Sequence, residues 1–139
     1  MITFGTDGWR GLIARDFTFE NLQSVALATA KYLKSISKDN ISVVIGYDTR
    51  FLSKEFAKEV AQVLAWQDIL VHLTNTFSST PQVSFHTKQK IVDLGIVITA
   101  SHNPPLYNGF KLKASFGGPA TPEQVAAVEK ELKKVIQRR

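Results

Sequence analysis

Cysteine is absent from the 139 residues, so neither a disulfide framework nor a thiolate metal site can be built, and cysteine usage does not diagnose the redox compartment. Long apolar runs are missing too: stretches such as 95–98 fall far short of the roughly 20 residues that cross a bilayer. No membrane partner is expected. Residues Met1 to Trp9 hold glycine and aspartate where a secretory signal needs a basic start and an apolar run. A cytoplasmic location follows as the expectation. Acidic residues are the scarcer charge, 12 Asp and Glu against 17 Lys and Arg, which gives a formal net charge of +5. Four of those positive charges (Lys133, Lys134, Arg138 and Arg139) lie in the last seven residues, and five minus four leaves +1 for everything before them. Such a tail complements the dipole at the end of a terminal helix better than it makes a nucleic-acid surface.

What is present is an ordinary globular composition, 44% hydrophobic and 21% charged, in a length suited to one domain with a real core. One unit over 1–139 is expected. Leu22, Val25, Ala26, Thr29, Tyr32, Leu33 and Ile36 recur at helical spacing between Phe19 and Ile36, with Thr18 placed to cap. A second stripe, Phe56, Val60, Val63 and Leu64, marks a helix from Lys54 to Gln67 with Ser53 as its cap. Runs rich in β-branched residues at Ser42 to Tyr47, Ile69 to Thr74 and Ile96 to Thr99 read as buried strands of a mainly parallel sheet. A third helix is expected between Pro81 and Leu94, capped by Thr80 and ended by Gly95. Gly109 to Ala114 reads as a strand antiparallel to the preceding one, and Thr121 with Gln124 forms a capping box for a helix from Pro122. With a further strand around Gly11 to Ala14, the fold class is α/β: a three-layer α/β/α sandwich with a mixed, mainly parallel sheet of about four to five strands.

Three segments carry the chemistry. Thr99 to Lys111, T-A-S-H-N-P-P-L-Y-N-G-F-K, follows a strand directly, and in open α/β sheets ligands gather at the carboxyl ends of strands. Pro104 and Pro105 stiffen the loop and push Asn103 toward extended backbone, while Asn108 and Gly109 suggest a turn. Such a loop can display the Ser101 hydroxyl within the tolerances of group transfer, or be a plain turn that contains a serine. Neighbouring residues of an extended loop point apart, and no G-x-S-x-G is present, so a hydrolase pairing of Ser101 with His102 fits poorly. Phe4 to Gly11, F-G-T-D-G-W-R-G, has three glycines in seven positions, which permit close backbone approach, and Arg10 offers a donor fork suited to phosphate. A tight turn with an Asp7 to Arg10 pair is the plainer reading. Gly46 to Arg50, G-Y-D-T-R, places Asp48 and Arg50 after another strand, where they support the site as an ion pair or turn, or take part in it.

In order and spacing these segments resemble the α-D-phosphohexomutase superfamily, which includes phosphoglucomutase, phosphomannomutase and phosphoglucosamine mutase. The match covers essentially the whole chain as the first of the family's four domains. T-A-S-H-N-P with Y-N-G-F-K is the most specific part, G-T-D-G-W-R-G the second, and G-Y-D-T-R resembles the family's G-x-D-x-R. Trp9 departs from the aliphatic residue of many relatives. The resemblance implies that Ser101 is phosphorylated and passes its phosphoryl group to and from a hexose 1- or 6-phosphate through a bisphosphorylated sugar. It implies Mg²⁺ on an oxygen of that phosphoserine, Arg10, Lys111, Thr6 and Asn103 around the phosphate, and His102 nearby as an aid to proton transfer. Lys111 could share that transfer if surrounding positive charge lowered its pKa. Asp48, Arg50 and Gly109 are expected to support the loop.

The family's metal loop, D-G-D-x-D-R, its sugar-specificity loop and its substrate phosphate loop are not among these residues, so domains II to IV are the implied partners and the chain alone is expected to be inactive. A stand-alone sugar-phosphate-binding module is the alternative, and a nucleic-acid binder using the basic tail a remote third. The S-H-N-P-P-x-Y-N-G-F-K form leans toward glucose and mannose phosphates without separating them.

Overall fold

The computed structural model describes residues 2–6, 8–36 and 39–139. Along them run β1 (Gly8–Leu12), α1 (Phe19–Ile36), β2 (Ser42–Tyr47), α2 (Ser53–Trp66), β3 (Leu70–Leu73), α3 (Thr80–Gln89), β4 (Leu94–Ile98), β5 (Tyr107–Ala114) and α4 (Pro122–Gln137). The five strands form one sheet in the order β1-β5-β4-β2-β3. β2 is parallel to both β3 and β4, while β5 is antiparallel to both β4 and β1. Only β5 therefore opposes the common direction, and the sheet is the mixed one expected.

Side-chain alternation sorts the sheet into two faces. Val43, Ile45, Leu94, Ile96, Ile98, Phe110 and Leu112 point into the large core with α1, α2 and α4. On the other face Val44 and Val97 meet Val83 of α3. Glycine lets α3 approach: a Cβ on Gly46 would stand 2.2 Å from Val83 Cγ2, and one on Gly95 would stand 2.1 Å from Thr87 Oγ1. The layers are thus three. Trp9 is buried in the larger core, stacked on Phe17 at 4.5 Å, and Phe17 meets Phe56 edge-on at 4.9 Å. An indole at this position fastens β1 to the helical layer.

Several local expectations are corrected. The first strand begins earlier, at Gly8, because its pairing with β5 runs from Gly8↔Lys111 to Leu12↔Tyr107. Helix α2 is capped not by Ser53 but by Leu52 in the left-handed region (φ 64°) with no side-chain cap. For α3 the cap is Ser79, whose hydroxyl accepts from the Gln82 amide in a full capping box, and Pro81 still falls in the first turn. That helix ends at Gln89, and Gly95 lies inside β4 under Thr87. Asn108 and Gly109 make no turn: both are in β5, and the bend is earlier, where the Tyr107 amide donates to the Pro104 carbonyl at 3.0 Å. Thr18 does cap α1, accepting from the Asn21 amide at 3.1 Å, and Thr121 with Gln124 forms the capping box of α4.

Candidate functional site

The parallel register sets Tyr47 beside Ile98, so the chain leaves β2 and β4 at adjacent points and delivers Asp48 next to Thr99. Asp48 then organises both exits. Its Oδ2 accepts from the Thr99 hydroxyl at 2.6 Å, and its Oδ1 accepts from the Arg50 amide at 3.0 Å and the Ser53 hydroxyl at 2.7 Å. Thr99 Oγ1 accepts in turn from the Ser101 amide at 3.0 Å. Ser53 Oγ also accepts from Nδ2 of buried Asn108 at 2.9 Å. The residue expected as a cap is instead a buried relay between α2 and β5.

Arg50 spans the loop. Nη1 donates to the carbonyls of Pro104 and Tyr107 at 2.8 and 3.1 Å, and Nη2 to those of Ser101 and Asn103 at 2.7 and 2.6 Å. Its Nε lies 3.5 Å from Asp48 Oδ2. One planar fork thus fixes four carbonyls spread over seven residues, which a lysine's point charge could not do. Within that frame Ser101 is left-handed (φ 55°), and the Asn103 amide closes a turn onto the Ala100 carbonyl at 3.0 Å. The backbone at Ser101 is therefore turned, not extended. A non-glycine residue in this region costs about 1–3 kcal/mol and survives only where its surroundings over-determine it, a pattern that favours functional positions.

The Ser101 hydroxyl points to the sheet face that carries α3, beyond that helix, above β5 and β1. There Lys111 Nζ donates to Ser101 Oγ at 2.5 Å, from a side chain that is largely buried. Arg10, paired with Gly109 and so on the same face, donates from Nη1 to Asn103 Oδ1 at 2.8 Å. Gly109 is a matter of space: a Cβ would stand 2.5 Å from the Thr99 carbonyl oxygen and 3.0 Å from that of Trp9. Thr6 is exposed and, with Gly5, Gly8 and Arg10, lines an open recess of about 380 Å³. His102 is exposed and makes no hydrogen bond to Ser101. Asp7 of the expected Asp7 to Arg10 pair lies outside the described residues. Thr99, Ser53 and Asn108 were not expected in the site; Thr99 opens the T-A-S-H run, but nothing in sequence ties Ser53, read as a cap, to Asn108, read as a turn residue.

Among the described residues no group of three or more His, Asp or Glu could hold a metal ion. With an ammonium already against the Ser101 hydroxyl, these side chains do not by themselves fit a divalent cation.

The site can hold a hydroxyl in fixed orientation against one ammonium, with a guanidinium on Asn103 of the same loop, an arrangement suited to charge on a phosphoryl group. The phosphoglucomutase/phosphomannomutase α/β/α domain I family matches residues 1–139. A protein named phosphoglucomutase from Staphylococcus saprophyticus is 44% identical over 126 residues, covering 88% of this chain and 23% of that one. Another so named, from Staphylococcus aureus, is 40% identical over 140 residues, with 96% and 25% covered. A crystal structure assigned as a phosphomannomutase of Thermus thermophilus superposes with a TM-score of 0.91 at 40% identity, covering 94% of this chain and 30% of that one. A phosphoglucomutase/phosphomannomutase family protein of Burkholderia thailandensis gives 0.78 at 26% identity, with 98% and 31% covered. The chain spans about a quarter of the length of the curated relatives it matches. It belongs to the phosphoglucomutase/phosphomannomutase family, as that family's domain I.

Proposed function

We propose that Ser101 carries the phosphoryl group in a phosphohexomutase to which this chain contributes the first domain, interconverting the 1- and 6-phosphates of glucose, mannose or both. The contact of Lys111 Nζ with Ser101 Oγ, made within a loop clamped by Arg50, is the observation that supports this most directly. In the forward half-reaction the bond from phosphorus to Ser101 Oγ breaks as a sugar hydroxyl oxygen bonds to phosphorus. As the sugar hydroxyl gives up its proton, the released Ser101 oxygen gains one and ends as the hydroxyl, with the Lys111 ammonium donating to it. The second half-reaction reverses these changes at the other end of a bisphosphorylated sugar. Arg10 lies where it can meet equatorial phosphoryl oxygens, with Asn103 holding its guanidinium and Thr6 at the rim; exposed His102 is free to reach the sugar. Mg²⁺ would be held on phosphoserine oxygens by ligands from the rest of the complete protein.

The test is turnover of glucose 1-phosphate and mannose 1-phosphate by the full-length protein with Mg²⁺. Ser101→Ala is expected to lower kcat by about 10³-fold or more, as loss of a covalent nucleophile does. Wild-type turnover by a folded Ser101→Ala protein would remove Ser101 from the mechanism.

A further inference from the structure

Helix α3 covers only the middle of its sheet face. It packs on β2 and β4, so the Ser101 site stays open to one side and the same face of edge strand β3 stays open to the other. An uncovered strand flank is ordinarily polar and flat. Here it is the wall of a groove of about 560 Å³, a volume in the range of small-molecule sites.

Two periodicities furnish the walls. His72 pairs with Val44, whose side chain is on the α3 face, and strand alternation brings Thr74 to that face as well. Across from them Gln82, His86 and Lys90 follow one another at intervals of four residues, which is one stripe of a helix. Asn75 and Phe77 close the end near the carboxyl end of β3. No aspartate or glutamate is among the described residues that line the groove. Its basic side chains are not used internally: among the described residues His72 and Lys90 make no side-chain hydrogen bond or ion pair, and His86 only meets the ring of Phe85. Thr74 is a lining residue whose Oγ1 is itself buried with no hydrogen-bond partner among the described residues, an uncommon state for a buried hydroxyl. Phe77 is 54% exposed, with its ring edge-on to Tyr47 at 5.7 Å. The carbonyls of the last turn of α3, which would repel an anion, are partly engaged, those of His86 and Lys88 accepting from the amides of Lys90 and Ile91.

We propose that this groove binds a phosphorylated small molecule, its phosphate among His72, His86 and Lys90 and its remainder against Phe77. The site is separate from Ser101 and does not depend on the function assigned there.

The chain's three histidines make the test direct, since His72 and His86 report the groove and His102 reports the Ser101 loop. Imidazole resonances of the isotope-labelled chain are followed by NMR during titration with inorganic phosphate, with sodium chloride at matched ionic strength as the control. Saturable shifts of His72 and His86 with phosphate and not chloride are expected. In His86→Gln/Lys90→Gln, whose exposed and half-buried positions allow folding, the apparent Kd should rise at least fivefold. Adenosine monophosphate and glucose 6-phosphate then separate the sources: the ester that binds more tightly than phosphate, and loses that gain in Phe77→Ala, names the class. Shifts confined to His102, shifts reproduced by chloride, or an unchanged Kd in a double variant with a native amide spectrum would each overturn the proposal.

Discussion

At the scale of single residues, Ser101 and Arg50 divide the work of the loop between a strained position and what holds it. Ser101→Ala and Ser101→Gly both delete the hydroxyl and its contact with Lys111, so the difference between them isolates the backbone at φ 55°. Glycine occupies that region freely and alanine does not. Ser101→Gly is therefore expected to be about 1 kcal/mol more stable than Ser101→Ala in urea denaturation. Equal stabilities would mean that the left-handed turn is absent in solution. Arg50 is the holding residue, with only 14% of its side chain exposed. Lysine keeps the charge but cannot serve four carbonyls from one plane, so Arg50→Lys should cost about 2 kcal/mol through carbonyls left unpaired. Amide exchange should quicken first between Ser101 and Tyr107, and a loss spread evenly over the chain would argue against a local clamp.

Between elements, close approach decides stability more than charge does. Helix α3 rests on two glycines, and the methyl of Gly46→Ala would enter the volume of Val83 Cγ2. Overpacking of that kind costs about 1–3 kcal/mol, and Val83→Ala in the same chain should recover part of it. A double-mutant cycle with no coupling would place α3 farther from the sheet. The same elements show what was legible in the sequence. Helices α1 and α2 follow from periodicity, because the large core rewards amphipathic stripes such as Leu22 to Leu33, while α3 and α4 follow from terminal signals and the central strands from β-branched runs. Boundaries set by tertiary contact were not legible. Gly95 looks like a helix stop yet serves the packing of Thr87, and Ser53 looks like a cap yet bridges Asp48 to Asn108, a partner 55 residues away. In the site, T-A-S-H-N-P and Y-N-G-F-K announced Ser101 and Lys111, but their contact needs the β4–β5 pairing, and the four carbonyls on Arg50 leave no side-chain signature at all. The groove beside α3 was invisible for a like reason: His72 and His86 belong to no motif and come to line one groove only through the packing of α3 beside the sheet edge.

Across the whole molecule, one larger core joins the sheet to α1, α2 and α4. The protein should therefore unfold in one cooperative step, with far-ultraviolet circular dichroism and the fluorescence of buried Trp9 changing together. A folded chain is nevertheless not expected to be a catalyst. Uncatalysed phosphate monoester cleavage can need acceleration of up to about 10²¹-fold, whereas one preorganised donor contributes about 10²–10³. In the mechanism proposed above, Arg10 and Lys111 together would leave most of that acceleration to tight substrate positioning and to a metal. The described residues hold no carboxylate cluster for such a metal, and the chain corresponds to about a quarter of its named relatives. Incubated with glucose 1-phosphate and Mg²⁺, the pure chain should form no glucose 6-phosphate above a buffer control, even while its circular dichroism shows it folded. Conversion that disappears in Ser101→Ala would show that domain I holds more of the catalytic apparatus than its two cations and one hydroxyl. Conversion that survives in a folded Ser101→Ala chain would take the reaction away from the hydroxyl that the Lys111 ammonium meets.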